Sequence, residues 1–248
     1  MIHNSLSKLY LLLIIFGLLS IEACKKDEEV DPYQENYIGP GSNAEEYLRD
    51  DVYTSMVIDI VYEPGVQPDQ RAIDELESFL NTYLNKPKGI TIIQREIEAQ
   101  NQNTLKTKEI VEIEQIYRSH LNSKDTLATF IYFANSEFSQ SSNTLGLAYA
   151  STSIVIFQKT IQENAAGNVE VIRRLEESIL KHEFGHLLGL VDVGSPPVNP
   201  HEDSGYPNHC DSKDCLMYYA AETAATANNI SLVLDDNCKA DLKANGGK

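Results

Sequence analysis

The chain has no tryptophan, three methionines and six histidines in 248 residues. It is also short of basic charge, with 20 lysines and arginines against 37 aspartates and glutamates, a formal net charge of −17. Gripping phosphates needs a basic face, so nucleic acid is excluded as a partner. An acidic surface mainly serves solubility and says little about substrate. Cysteine is scarce too: Cys24, Cys210, Cys215 and Cys238 are the full set. Long apolar stretches are confined to residues 9–19, too short to span a membrane comfortably, which takes about 20 residues. No internal repeat is present. Apolar residues still make up 42% of the chain, enough for one core of moderate size.

The apolar run follows Lys8 and has the length of a signal h-region. It ends at Ile21-Glu22-Ala23-Cys24, followed at once by Lys25-Lys26-Asp27-Glu28-Glu29. This resembles a bacterial lipoprotein signal, although Glu22 is an unusual occupant of its position. The acidic cluster resembles the export tags of surface-exposed lipoproteins in the Bacteroidetes. The resemblance implies removal of residues 1–23 and lipidation of Cys24. It also implies residence in the cell envelope, anchored to the outer membrane and facing either the periplasm or the exterior. Residues 24–50 are polar and turn-rich (Asp31-Pro32, Gly39-Pro40-Gly41-Ser42) and read as a membrane tether, leaving 51–248 as the folded domain. Three cysteines then remain in an oxidising compartment. One disulfide with a spare thiol is the simplest arithmetic, and Cys210–Cys215 is the most local pair. A second, structural metal site would need a fourth ligand that the sequence does not single out.

From Tyr53 onward the hydrophobic pattern is regular. Residues 55–62 alternate as a strand, with Met56, Ile58, Ile60 and Tyr62 on one face. Pro68 precedes a helix carrying Ile73, Leu76, Leu80 and Tyr83 at helical spacing. A strand is expected over 89–97, a helix over 107–121, and strands over 127–134, 145–150 and 153–159. Asn168 is a suitable N-cap for a long helix whose apolar stripe, Ile172, Leu175 and Ile179, runs on to His182 and His186. The order of elements predicts a mixed sheet with helices packed against it, in the α+β or α/β class.

That long helix carries His182-Glu183-Phe184-Gly185-His186-Leu187-Leu188-Gly189. Two imidazoles four residues apart share one helix face and can hold one Zn²⁺ ion. The carboxylate beside the first then faces the metal's open position, where it can deprotonate a water. Gly189 is placed to end the helix. A catalytic zinc site generally takes a third protein ligand, and two residues compete for it. Asp192 lies six residues after His186, and His209 heads the segment His209-Cys210-Asp211-Ser212-Lys213-Asp214-Cys215-Leu216-Met217-Tyr218-Tyr219.

His-Cys-x4-Cys-x-Met resembles the signature that follows the zinc helix in archaemetzincins, and Cys215-Leu216-Met217-Tyr218 resembles the Met-turn of matrix metalloproteinases. The chain thus looks like a metzincin, a zinc endopeptidase domain, with residues 190–208 inserted inside the motif. The resemblance favours His182, His186 and His209 as zinc ligands, with Asp192 the alternative third ligand or a residue capping the turn. It makes Glu183 the general base, Met217 the hydrophobic floor of the metal, and Tyr219 a catalytic candidate, as in astacin-like enzymes. Residues 145–150 resemble the edge strand that pairs with extended substrates. His201 and Asp203, inside the insertion, read as ordinary loop residues. Archaemetzincins carry a terminal Cys-x-x-Cys completing a second zinc site; only Cys238 stands here, which weighs toward a disulfide. A monomer acting on protein or peptide substrate is expected. The alternatives are a non-catalytic zinc-binding envelope lipoprotein and a peptidase acting on cell-wall peptides.

Overall fold

The computed structural model describes residues 38–222 and 231–248; the expected leader, Cys24 and the first part of the tether lie outside the described residues. Strands β1 (Ser55–Tyr62), β2 (Ile90–Glu96), β4 (Thr126–Phe133), β6 (Gly146–Ala150) and β7 (Ser153–Ile156) form one sheet in the order β2-β1-β4-β7-β6. β1 runs parallel to β2 and β4, β4 runs parallel to β7, and only β6 is antiparallel, at the edge. A two-stranded parallel pair, β3 (Thr104–Leu105) with β5 (Glu137–Phe138), was not visible in the hydrophobic pattern because each strand is two residues long.

Crossovers between parallel strands place helices on both faces of the sheet. Helices α2 (Gln70–Tyr83) and α5 (Val169–Leu187) cover one face, where Met56, Ile58, Ile60, Ile131 and Ile154 meet Leu76, Leu80, Leu175 and Ile179. Helix α3 (Thr107–Tyr117) covers the other, packing Ile110 and Ile113 on Val61, Phe130 and Val155. This explains why six central residues of β1 are all buried, where alternation alone suggests a single buried face. Helices α4 (Gln158–Asn164) and α6 (Asp236–Ala244) complete the described elements together with the short α1 (Ala44–Leu48) and a 3-10 turn, Tyr219–Glu222.

Two element ends differ from the pattern for identifiable reasons. α3 stops at Tyr117, four residues early, because Arg118 turns extended. Its guanidinium reaches back to Glu114 (2.6 Å) and donates to the Ala128 carbonyl, forming a buried ion pair. β7 stops at Ile156, and Gln158 and Lys159 begin α4.

The folded body begins before residue 51, which corrects the expected tether boundary. Tyr47 and Leu48 are fully buried, Tyr47 donating to or accepting from Thr129 Oγ1 at 2.8 Å and meeting the Phe184 ring edge-on. Lys86 Nζ ties the same segment down by donating to the carbonyls of Glu46 and Tyr53. Burying a tyrosine and a leucine outweighs the polarity that marks the rest of the segment as linker.

Candidate metal centre

Helix α5 forms as its sequence predicts. The Asn168 side chain accepts from the amides of Glu170 and Val171, capping the N-terminus. At the other end, the Gly189 amide donates to the His186 carbonyl and the Leu190 amide to that of Gly185, with Gly189 at φ +82°. This is the paired bonding of a Schellman stop, and it requires a residue that tolerates positive φ. Within the motif, Gly185 is needed for a different reason: a Cβ there would lie 2.3 Å from Met217 Sδ. Met217, itself buried, thus packs directly against the helix face that carries the histidines.

His182, His186 and His209 converge. Their rings stand 4.9–5.4 Å apart centre to centre, and His182 Nε2 and His186 Nε2 are 3.2 Å from each other. His182 Nδ1 donates to the Leu216 carbonyl (2.8 Å) and His209 Nδ1 to that of Pro207 (2.9 Å). A carbonyl can only accept, so the ring protons sit on Nδ1 and the Nε2 lone pairs point inward. Burial pushes the His186 pKa down to about 4, holding that ring neutral. Lone pairs gathered at this range repel unless a cation sits among them, so the donor set fits a divalent metal.

A fourth group joins them that the sequence did not single out. Glu222, at the end of the 3-10 turn, places Oε1 3.1 Å from His209 Nε2 and 3.4 Å from both His182 Nε2 and His186 Nε2. Burial raises the Glu222 carboxyl, but the three imidazoles beside it outweigh that and hold the group well below the usual carboxylate range. Burial lowers His209, and the adjacent Glu222 carboxylate outweighs that in the opposite direction, leaving it raised. No spacing rule announces Glu222; it lies five residues past Met217 in a stretch rich in alanine.

Glu183 is 1% exposed. Its Oε2 accepts the Ala148 amide of edge strand β6 at 2.6 Å, while Oε1 has no hydrogen-bond partner among the described residues. Burial, and then the charge of Glu222, push its pKa well above the usual carboxylate range. A cavity of about 230 Å³ opens here, lined by Leu147 and Ala148 of β6 with Glu183, His186, His209 and Glu222. Pro40 also lines it, so the segment expected to be tether contributes to the cleft wall. Asp192 stands outside the cluster, exposed and at φ +62°, in the turn that follows the helix. Tyr219 lies flat against Tyr206 of the insertion, ring centres 3.5 Å apart and planes within 4°.

The insertion folds back on itself. Glu202 bridges Cys210, and the Asp203 amide donates to the His209 carbonyl while the Asp211 amide donates to that of His201. His201 lies in the loop as expected but is buried in it, and the Asp203 carboxylate accepts the Gly205 amide in a local turn. His201 Nε2 meets Asp241 Oδ2 at 2.7 Å, and its Nδ1 lies 3.5 Å from Cys210 Sγ. His201, Cys210, Asp235 and Cys238 form a second group able to hold a metal. Cys215 Sγ stands 3.6 Å from Cys238 Sγ. All three cysteines are buried free thiols, so the expected Cys210–Cys215 disulfide is not formed. A sulfur-ligated zinc with bonds of about 2.3 Å spaces its sulfurs about 3.7 Å apart, close to the spacing observed. Hydrogen bonds among the three thiols hold Cys215 far below the usual range and push Cys210 and Cys238 above it.

No family model matches the chain, and no curated protein matches it in sequence. Its fold is similar to that of archaemetzincin from Methanopyrus kandleri, with a TM-score of 0.54 at 14% identity over 77% of this chain and 96% of that one. A weaker likeness, TM-score 0.43 at 11% identity over 77% of this chain, is to metalloproteinase-II from Bacteroides fragilis. The matched region spans about half of that second protein, 52% of its length. The chain has a metzincin-like α+β fold, and its candidate zinc centre joins His182 and His186 of the long helix to His209 and Glu222.

Proposed function

We propose that the chain is a zinc-dependent endopeptidase anchored to the cell envelope through Cys24. The observation that carries the reading is the placement of Glu183. It lies between three converging imidazoles and the open edge of β6, with one carboxylate oxygen fixed and the other unpartnered. His182, His186 and His209 would hold the ion, which when bound polarises the scissile carbonyl and lowers the pKa of a water.

The remaining work falls to the chain. The Ala148 amide orients Glu183 so that Oε1 takes the proton of the attacking water and later delivers it to the leaving amine. A carboxyl already raised by burial returns that proton readily. An extended peptide would add to β6 backbone to backbone, which lays it across the centre. Tyr219, steadied by its stack on Tyr206, is the proposed partner of the developing oxyanion. Envelope anchoring rests on the lipoprotein-like leader alone.

The buried thiol cluster is proposed to hold a structural zinc through His201, Cys210 and Cys238, which share a donor group with Asp235, joined by Cys215, whose Sγ is 3.6 Å from that of Cys238, with Asp241 orienting the imidazole from behind. The sequence lacked a fourth ligand for that ion, and His201 supplies it.

Glu183→Gln tests the main reading. Zinc content should be unchanged and hydrolysis of an unfolded casein-type substrate should fall by about 10²–10⁴-fold. A variant that cleaves at the parent rate would remove Glu183 as the base.

A further inference from the structure

The centre has one more carboxylate than peptide hydrolysis needs. Glu183 already supplies the base, yet Glu222 also points at the three imidazoles. Four measured separations define its place: 3.2 Å between the Nε2 atoms of His182 and His186, and 3.4, 3.4 and 3.1 Å from Glu222 Oε1 to His182, His186 and His209. A tetrahedron with metal–ligand bonds of about 2.0–2.1 Å has edges of about 3.3–3.4 Å. Four of the six edges among the three nitrogens and the carboxylate oxygen therefore come within about 0.3 Å of a zinc tetrahedron, and all four atoms lie within 4.8 Å of one another. Structural zinc sites are closed in this way, whereas catalytic ones keep a vertex for water.

We propose that Glu222 is a fourth protein ligand that closes the centre at rest, so that the protein is latent until this carboxylate is displaced. The inference rests on the peptidase reading and adds its regulation. The geometry supplies both the closure and its release. The Glu222 backbone is fixed, its carbonyl accepting the Leu145 amide at 3.0 Å just before β6 begins. Its side chain is 30% exposed and lines the cavity, with room to rotate away from the imidazoles. Displacement thus needs side-chain rotation and no rearrangement of the sheet or of α5. An incoming oxygen ligand, such as a substrate carbonyl seated along β6, would compete for the vertex that Glu222 fills. The latency device is a cis carboxylate located after the Met-turn.

The test compares the full chain with Glu222→Ala and Glu222→Asp, whose shorter side chain does not reach the vertex. Each is loaded with zinc for affinity measurement by chelator competition and with Co²⁺ for visible spectroscopy, with acetohydroxamate as a probe of an open position. The parent should show a four-coordinate cobalt spectrum that the hydroxamate barely perturbs. Both variants should respond to it at about tenfold lower concentration, bind zinc about tenfold more weakly and cleave a casein-type substrate about tenfold faster. Identical cobalt spectra, hydroxamate responses and zinc affinities in parent and variants would overturn the proposal. So would variants with altered spectra that cleave more slowly than the parent, because Glu222 would then serve turnover. If the spectra and affinities shift while no form cleaves any peptide, the closed centre stands and the peptidase reading falls.

Discussion

His209 and Cys210 are consecutive, yet their side chains enter different clusters. His209 faces the cleft with His182, His186 and Glu222, while Cys210 turns into the buried group of His201, Asp235 and Cys238. The cleft cluster offers imidazoles and a carboxylate beside a cavity, on a helix that is anchored independently by its own cap and stop. The buried cluster offers thiols and one histidine, drawn from the insertion, the Met-turn segment and α6. The insertion and the Met-turn segment have little regular structure of their own to hold them against α6. One cluster is thus a site placed on a finished scaffold, and the other is part of what finishes it.

The sharpest way to break this comparison is to remove one ligand from each. Cys238→Ser should lower the unfolding free energy by about 3–5 kcal/mol, because it leaves buried thiols and an imidazole without their shared ion. His209→Ala should cost at most about 2 kcal/mol, since α5 and the sheet persist without the cleft metal. Urea denaturation of zinc-loaded protein measures both, and elemental analysis should count two zinc ions in the parent and one in each variant. Equal losses of stability would mean that the two clusters do not differ in the way argued.

A second experiment separates the clusters from the helix that carries one of them. If both clusters hold zinc as proposed, acid should remove it from each, because protons compete for imidazole and thiolate, and each would contribute stability that falls as pH falls. Glu176, one and a half turns before His182 on α5, acts in the opposite sense. Burial pushes its pKa up to about 7, even though the carboxylate accepts from the Asp69 amide and the Gln158 side chain. A carboxyl with a raised folded-state pKa stabilises the fold fully below its ordinary value of 4.5. That contribution is lost as pH rises toward 7, and a shift of this size corresponds to about 3 kcal/mol at most. Glu176→Gln does not titrate, so its stability relative to the parent should rise between pH 5 and pH 8 in chemical denaturation. A constant difference across that range would show that Glu176 ionises normally.

The two clusters were unequally legible in the sequence, and the reason is physical. His182, Glu183 and His186 follow from helical periodicity, which is a local rule, and the cap at Asn168 and stop at Gly189 are local as well. The strands and crossover helices were readable for the same reason, apart from the two-residue strands, α4 and the ends of α3 and β7. Glu222 and His201 were not readable. Each meets its partners across tertiary contacts, Glu222 through the 3-10 turn and His201 through the fold-back of the insertion. The one available signal for His201 was arithmetic: three cysteines on an apparent metal framework lack a fourth ligand, and a histidine stands nine residues before the first. The start of the body was misjudged because Tyr47 and Leu48 are two apolar residues in a polar stretch, and only the completed core shows what they bury against.

The smallest expected effect concerns the residue at the uninterrupted metzincin spacing. Asp192 follows His186 by six positions, where a third ligand would stand if the chain continued without an insertion. Yet it is exposed at φ +62°, and its carbonyl accepts the Gly194 amide within the turn. Asp and Asn tolerate this left-handed conformation better than other residues with a Cβ. Its place is therefore explained by backbone geometry, without any metal. Asp192→Asn should leave zinc affinity, measured by chelator competition, within about twofold of the parent and change stability by less than about 0.5 kcal/mol. A tenfold loss of zinc affinity would return Asp192 to the cleft cluster. His209 would then be free to belong with Cys210, and the division between the two clusters would have to be redrawn.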